Sequence, residues 1–325
     1  MRLSRRIRPA LMVNAALASS LLAVTAAGDS VPPAGGPQAV ERPVDDLGAV
    51  GAGTEGSGVS PDGGTSGRSS PYVPSSTVRD ALLAQSLPRL VGDPPPRLSV
   101  AVTSLDGEVA AAYGADHFDT ASIVKVDILA ALLLKAQDEG RELTARERLL
   151  AEVMIQRSDN DAADELWLAI GGGAGLDAAN ERLGLVATSA GPAGHWGLTQ
   201  TTAVDQLALL RAIHGARTPL HADSQAYIRE LMATVVPEQR WGISAAADGG
   251  ADGGFELKNG WLPRTRTGLW DVNSIGRVTV EGRPYLVAVV SDGHLSWEAG
   301  VAVVEAAAEA ALSAVRADQA PRSGV

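Results

Sequence analysis

The chain contains no cysteine among its 325 residues, so disulfide bonds, thiolate metal sites and cysteine nucleophiles are excluded. Lysine is also scarce, with three lysines among 27 cationic side chains. Where arginine is the usual cation, a lysine indicates a need for a compact amine that can release its proton, which arginine cannot do. The three lysines are Lys125, Lys135 and Lys258.

An excess of positive charge is missing as well. The formal net charge is −11, the sequence pI is about 4.9, and basic residues form no patch beyond the N-terminus. Such a chain is not attracted to the phosphates of nucleic acid, so we expect no nucleic-acid partner. With 45% hydrophobic residues, the chain is long enough to bury a sizeable core in one or two domains.

A basic and then apolar segment opens the chain. Four arginines precede the apolar residues 10–27, and Thr25-Ala26-Ala27 offers a small-residue cleavage site. This order predicts a signal peptide over 1–27, and Ser4-Arg5-Arg6 weakly resembles a twin-arginine signal, so the export route stays open. The alternative, a membrane anchor, is disfavoured because the segment is short and contains Asn14.

We therefore expect a secreted protein, extracellular or associated with the cell wall, with no membrane contact beyond the signal peptide. The absence of cysteine near the cleavage point argues against a lipoprotein.

Composition and periodicity divide the rest of the chain. Residues 28–76 are rich in glycine, proline and serine and predict a disordered linker. Periodic patterns predict a folded domain over 77–318, followed by a tail over 319–325. A strand hairpin comes first, then a block of helices, three strands and a closing helix. This order predicts an α+β fold, with a five-stranded antiparallel sheet flanked by helices and an all-helical subdomain.

The individual elements follow from periodicity, caps and turn residues. The glycine run 171–173 is interpreted as the stop of a helix. The predicted helices cover about 78–87, 123–134, 145–156, 161–170, 176–183, a stretch that is capped by Thr201-Thr202 and ends near 212, 223–234 and 296–316. The predicted strands cover about 98–102, 108–113, 254–261, 270–280 and 284–291.

Ser122 opens an almost wholly apolar stretch of helical length, which indicates a buried helix. Ser122 and Lys125 are three residues apart and share one helix face. A hydroxyl at a helix N-terminus lies beside unpaired N–H groups that can stabilise an oxyanion, and an amine in apolar surroundings can act as a base. The pair therefore has the parts of an activated serine nucleophile. In the structural alternative, Ser122 caps the helix and Lys125 reaches the surface.

Three short motifs occur in order: Ser122-x-x-Lys125, Ser158-Asp159-Asn160 and Lys258-Asn259-Gly260. Each is weak alone, but the ordered set resembles the S-x-x-K, S-D-N and K-T-G motifs of class A β-lactamases and penicillin-binding proteins. The resemblance covers about residues 78–316. It implies a β-lactamase/transpeptidase-like fold and a serine hydrolase that acts on β-lactams or related amides and esters. Separately, the five histidines are scattered, no H-E-x-x-H occurs and no P-loop or dinucleotide fingerprint is present, so we expect no metal and no cofactor.

The resemblance implies a role for each motif residue. Ser122 forms an acyl-enzyme, and Lys125 takes or relays its proton. Ser158 passes a proton to the leaving nitrogen, and Lys258 supplies positive potential. The backbone N–H groups of Ser122 and Trp261 form the oxyanion hole. The residues implied in substrate binding are Asn160, Asn259, Gly260 and Trp261.

The chain departs from the family pattern at three positions. Asn259 replaces the K-T-G threonine, whose hydroxyl helps to bind a β-lactam carboxylate. The loop 185–200 contains no carboxylate, whereas class A enzymes use a loop glutamate to activate the deacylating water; Glu181 lies in the helix before the loop. Asp164 replaces an asparagine that braces the loop. His195 is a candidate for a substitute base, because it is the titratable residue of the loop. In the alternative, it is a loop histidine without a catalytic role.

These departures affect the second half of the reaction, because the acylation residues are complete and the water activator is missing. We therefore expect slow deacylation, which suits a penicillin-binding peptidase or an esterase better than a fast resistance enzyme. A catalytically weak or inactive relative that binds a cell-wall ligand is the alternative from another class. In each case we expect a monomer that takes a small molecule, a β-lactam or a peptide-like amide or ester.

Overall fold

The computed structural model describes residues 77–87 and 96–317. The predicted signal peptide, linker and tail, 1–27, 28–76 and 319–325, lie outside the described residues. Among the described residues, no helix combines the length and the apolar character that crossing a membrane requires.

Five strands form one antiparallel sheet in the order β2-β1-β7-β6-β5, which confirms the predicted α+β fold. The two strands that precede the helical block join the three that follow it through the pairing of β1 with β7. The strands of this sheet are β1 (Arg97–Ser104), β2 (Ala110–Tyr113), β5 (Phe255–Pro263), β6 (Trp270–Val280) and β7 (Arg283–Asp292).

Helices cover both faces of this sheet. Helices α1 and α8 pack on one face in one hydrophobic cluster, and α6 and α2 belong to a second cluster with the other helices. The helices are α1 (Thr77–Ser86), α2 (Val124–Asp138), α3 (Ala145–Gln156), α4 (Asn160–Ile170), α5 (Gly172–Leu183), α6 (Ala203–His214), α7 (Ala222–Ala233) and α8 (Trp297–Ala317). Helix α2 is buried along almost its whole length, as its apolar sequence predicts.

A second, two-stranded sheet was not predicted. It pairs β3 (Phe118–Asp119) with β4 (Gln200–Thr201). Two residues per strand are too few to give a periodic signal. This pairing ties the segment just before Ser122 to the end of the loop 185–200, so it brings two distant stretches of sequence to the site.

The glycine run 171–173 both ends α4 and begins α5, so the predicted start of α5 at residue 176 was wrong. Gly171 has a φ of 95° and closes α4, and α5 already begins at Gly172. Gly175 allows a close approach, since a Cβ there would lie 1.8 Å from the Ile170 carbonyl oxygen. The glycines therefore permit a sharp turn between two helices. Their low helix propensity makes this stretch of sequence look non-helical, so the sequence pattern did not indicate that α5 begins here.

Candidate active site

Ser122 lies in a tight helical turn, Ala121–Ile123, that leads directly into α2. Its side chain is almost completely buried. The preceding Ala121 has a φ of 46°, in the left-handed region that residues with a Cβ rarely adopt. Strained backbone of this kind persists where the surrounding structure enforces it and is typical of functional sites. The strain here immediately precedes the serine.

Lys125 is fully buried, and its Nζ contacts three polar side chains. The Nζ lies 2.8 Å from Ser122 Oγ and 3.2 Å from Ser158 Oγ. It donates to the Ser158 carbonyl oxygen at 2.8 Å and to Asn160 Oδ1 at 2.6 Å. These last two oxygens only accept hydrogen bonds, so they hold the amine in place. Its contact with Ser122 Oγ puts the Nζ where a base for that hydroxyl would have to lie.

Ser158 links the two buried lysines. It lies in the turn between α3 and α4 and has a φ of 58°, in the left-handed region. Lys258 Nζ donates to Ser158 Oγ at 2.9 Å and to the Asn259 carbonyl oxygen at 2.7 Å. Ser122, Lys125, Ser158 and Lys258 thus form one continuous chain of contacts, although 136 positions separate its ends in the sequence.

Asn259 is fully buried, and its side chain has other partners. Successive residues of a strand point to opposite faces of a sheet, so Asn259 points away from the side on which Lys258 meets Ser158. Its amide donates to the carbonyl oxygens of Gln239 and Trp241 at 2.7 and 3.0 Å. The substrate-binding role assigned to Asn259 stays a prediction, and in this structure its amide braces the loop that follows α7.

Gly260 is the point where β5 approaches Ser122. A Cβ at this position would lie 2.7 Å from the Ser122 nitrogen and 2.8 Å from the Thr120 carbonyl oxygen. Real Cβ contacts are essentially never this short, so β5 needs glycine here to lie against the Ser122 turn. The neighbouring Trp261 is buried in the same strand. Its N–H, predicted for the oxyanion hole, therefore belongs to a strand that contacts the serine backbone.

Gly260→Ala is expected to slow acylation of Ser122 about a hundredfold, because small displacements of reacting groups have effects of this size. The methyl group would force β5 and the Ser122 turn apart. The measurement is the rate of covalent labelling by a serine-reactive probe. Gly253→Ala is the control, since a Cβ there meets nothing within 4 Å. Equal labelling rates for the two variants would contradict the proposed close approach.

The loop 185–200 brings a different residue to Lys125 than the sequence indicated. His195 is exposed in this loop, and Glu181 is exposed in α5. Trp196 is buried instead, and Lys125 Nζ lies 4.7 Å from the centroid of its ring. Trp196 Nε1 donates to Asp164 Oδ1 at 2.7 Å. Sequence reasoning missed Trp196, although a tryptophan in a glycine-rich loop of a chain with six tryptophans was a usable signal.

A charged cavity of about 310 Å³ lies beside the segment that precedes Ser122. Burial raises the pKa of Asp271 to about 7, although Arg264 opposes the rise. Burial also raises the pKa of Asp119, which pairs with Arg264. The acids and arginines of this cavity largely neutralise one another. Within the described residues, no group of three histidines or carboxylates is placed to hold a metal ion.

A family model described as "Beta-lactamase enzyme family" matches residues 138–315, which is more than half of the chain. A protein of Mycobacterium tuberculosis named "Putative lipoprotein LppW" is 31% identical over 173 residues, covering 51% of this chain and 54% of that protein. The Mycobacterium bovis protein of the same name gives the same values. The chain therefore spans about half the length of the curated relatives it matches.

Solved structures share the fold at low sequence identity. A class A beta-lactamase from Bacteroides cellulosilyticus superposes with a TM-score of 0.63 at 18% identity, covering 75% of this chain and all of that one. A mutant of PBP-A in an acyl-enzyme complex with penicillin G gives 0.62 at 21% identity, covering 76% and 99%. At such identities the likeness establishes the fold and leaves the chemistry to the residues of this chain.

Proposed function

The chain belongs to the beta-lactamase enzyme family, and from this premise we propose that it transfers acyl groups through a covalent ester on Ser122. The observation that supports the proposal most is the chain of contacts from Ser122 through Lys125 and Ser158 to Lys258, with separations of 2.8, 3.2 and 2.9 Å. All four side chains are at most 2% exposed. Buried polar groups in one network of this kind strengthen one another electrostatically.

In the proposed acylation, Ser122 Oγ attacks the carbonyl carbon of an amide or ester. Its proton passes to Lys125 Nζ as the Oγ–C bond forms, and the carbonyl oxygen becomes an oxyanion. The Ser122 and Trp261 N–H groups are proposed to stabilise this oxyanion. The negative charge develops beside a helix N-terminus, where the dipole favours it.

Collapse of this intermediate breaks the bond between carbonyl carbon and leaving group. The Ser158 hydroxyl gives its proton to the leaving nitrogen or oxygen, and the Lys125 ammonium, 3.2 Å away, returns a proton to Ser158 Oγ. Lys258 donates to Ser158 Oγ without consuming the Ser158 proton. The products are a neutral leaving group, a neutral lysine and an acylated serine, so the protons balance.

Deacylation is proposed to be slow. A water molecule must attack the ester carbonyl, and its proton must reach a base before Ser122 Oγ can leave. The loop 185–200 offers no carboxylate, and its titratable residue, His195, is exposed. An acyl-enzyme that persists in this way matches a penicillin-binding or peptidase-like activity better than rapid β-lactam destruction.

The substrate class is proposed to be β-lactams or related peptide-like amides and esters. Lys258, beside Ser158, supplies the positive charge that attracts an anionic substrate. The hydroxyl that K-T-G enzymes offer to a carboxylate is replaced by Asn259, whose amide is used by backbone carbonyls. Binding of an anionic group then rests chiefly on Lys258, so β-lactam affinity is proposed to be modest.

Export is proposed from the signal-like segment over 1–27 and from the relatives named as lipoproteins. Measurement of the protein in culture supernatant and cell-wall fractions tests it, with the mature N-terminus determined by mass spectrometry. Retention of the intact N-terminus in the cytoplasmic fraction would contradict the proposal.

The central test is covalent labelling by a fluorescent penicillin and by a fluorophosphonate, followed by mass spectrometry of the peptide that contains Ser122. We expect an adduct on Ser122 whose mass persists after removal of excess probe. Ser122→Ala is expected to abolish the adduct, and Ser99→Ala, a buried serine of β1, serves as the matched control. Its labelling should equal that of the unmodified protein.

The other outcomes decide between the remaining functions. Rapid return to the free mass, with turnover of a chromogenic cephalosporin, would refute slow deacylation and indicate a hydrolytic β-lactamase. Labelling by neither probe would favour the inactive, ligand-binding relative. Labelling by the fluorophosphonate alone would indicate an esterase-type substrate range.

A further inference from the structure

We propose that Trp196 is a positioning residue that excludes water from Lys125, held in place by Asp164. The exclusion of water rests on the geometry alone. Its kinetic consequence, a long-lived acyl-enzyme, rests on the proposed function.

The indole covers the amine directly. Lys125 Nζ lies 4.7 Å from the centroid of the Trp196 ring, within the range of a cation–π contact. Trp196 is 9% exposed and Lys125 is fully buried. Oxygen atoms of three side chains and of one backbone carbonyl therefore surround Lys125 Nζ within hydrogen-bond distance. The aromatic face of Trp196 lies beside the same amine.

Helix α4 holds both the lysine and its cover. Asn160 and Asp164 are four residues apart and share one face of α4. Asn160 Oδ1 accepts from Lys125 Nζ at 2.6 Å, and Asp164 Oδ1 accepts from Trp196 Nε1 at 2.7 Å. An acceptor that carries a negative charge strengthens the second hydrogen bond. The lysine and the tryptophan are thus fixed relative to each other by one rigid element.

The backbone of the loop fixes the other side of Trp196. Its carbonyl oxygen accepts from the Thr199 N–H at 3.1 Å, and the Thr199 carbonyl oxygen accepts from the Thr120 N–H at 2.8 Å. Thr120 is two residues before Ser122. The tryptophan is therefore attached to α4 through its side chain and to the nucleophile segment through its backbone.

The chemistry of indole makes this cover inert. Its Nε1–H is a donor only, and Asp164 uses it, so Trp196 offers no group that could accept a proton from water. Trp196 therefore excludes solvent from Lys125 and adds no second base to the site. This leaves Lys125 able to take the Ser122 proton, while the indole itself cannot activate a hydrolytic water.

The first experiment measures the reactivity of the amine itself. The protein is exposed to a brief pulse of an acetylating reagent, and acetylation of each lysine is quantified by mass spectrometry. The three lysines give three sites, and Lys135, in the same helix and partly exposed, is the internal reference. We expect Trp196→Leu to raise the rate at Lys125 relative to Lys135 by about tenfold or more, because the smaller side chain uncovers the amine and lets the reagent reach it.

Two further variants separate shielding from general loosening of the fold. Trp196→Phe keeps an aromatic face and is expected to keep most of the protection, so rescue by phenylalanine distinguishes the ring from bulk structure. Asp164→Ala removes the acceptor and is expected to raise Lys125 acetylation. Glu165→Ala, an exposed neighbour whose partner is Arg146, is the matched control and is expected to leave it unchanged. Circular dichroism establishes that each variant is folded.

The second experiment measures the lifetime of the acyl-enzyme by time-resolved mass spectrometry. Trp196→Leu is expected to shorten it about tenfold by admitting water, and Trp196→Phe to leave it within about twofold of the unmodified protein. Unchanged lifetime and unchanged Lys125 acetylation in Trp196→Leu would overturn the inference. Absence of any adduct on the unmodified protein would refute the proposed function instead, and the acetylation rates would still decide the role of Trp196.

Discussion

Lys125→Met is expected to reduce the rate of Ser122 acylation by about a thousandfold, the range that loss of a positioned general base produces. Methionine keeps the length of the side chain and removes the amine. The remaining adduct formation would come from the uncatalysed reactivity of the serine hydroxyl. The measurement is the second-order rate constant of labelling by a fluorescent penicillin or a fluorophosphonate.

The size of this effect follows from the number of contacts that Lys125 makes. Its Nζ lies within 3.2 Å of Ser122 Oγ, Ser158 Oγ, the Ser158 carbonyl oxygen and Asn160 Oδ1. Removal of the amine takes away the proposed proton acceptor for Ser122 and interrupts the proposed path that returns a proton to Ser158. It also leaves buried acceptors without a donor, so the variant should be less stable as well.

The chain supplies its own control for this variant. Lys135→Met makes the same chemical change two to three turns further along α2, where Lys135 donates to the Ala169 carbonyl oxygen. Its labelling rate is expected to stay within about twofold of the unmodified protein, since a single surface-side hydrogen bond contributes little. Similar rates for the two lysine variants, with both proteins folded, would rule out Lys125 as the base.

Asp127→Asn is expected to stabilise the protein by up to about 4 kcal/mol at pH 7, on the basis of about 1.4 kcal/mol for each unit of pKa difference. Asp127 lies in α2 and is fully buried, and neither of its carboxyl oxygens has a hydrogen-bond partner of normal geometry among the described residues. Burial raises the pKa of Asp127 to about 8, and the charge of Asp205 adds to the rise. An ionised carboxylate in this position is therefore costly.

The direction of the pH dependence follows from this shift. The carboxyl keeps its proton in the folded state up to about pH 8, whereas an unfolded aspartate loses it near pH 3.9. Between these two values the folded state binds more protons, so the free energy of unfolding falls as pH rises. Asparagine cannot ionise and is expected to remove this slope while keeping a side chain of similar shape.

Urea unfolding at pH 5, 7 and 8.5 would measure both the gain and the slope. The exposed Asp252→Asn is the control for the loss of one negative charge, and its stability should follow that of the unmodified protein at each pH. Parallel pH profiles for Asp127→Asn and the unmodified protein would show that Asp127 is ionised in the fold at no cost. A loss of stability at all three values would mean that asparagine leaves a buried amide without partners.

The sequence determined the parts of this protein that depend on local pattern. Helix α3 covers the predicted 145–156, because Thr144 and Glu147 form a reciprocal cap at its start. The five strands that share one sheet, the buried character of α2 and the ordered serine and lysine motifs could all be identified from periodicity and spacing. The resemblance carried by those motifs added the family.

Only the tertiary structure decided which residues distant in the sequence are in contact. Three contacts join residues that are tens to more than a hundred positions apart in the sequence. They are the packing of Trp196 over Lys125, the hydrogen bonds from Asn259 to Gln239 and Trp241, and the approach of β5 to Ser122 at Gly260. Local propensity is set by neighbours along the chain, whereas these contacts are set by how loops close and how layers pack. The amino acids therefore specified the reactive groups, and the fold decided which of them water can reach.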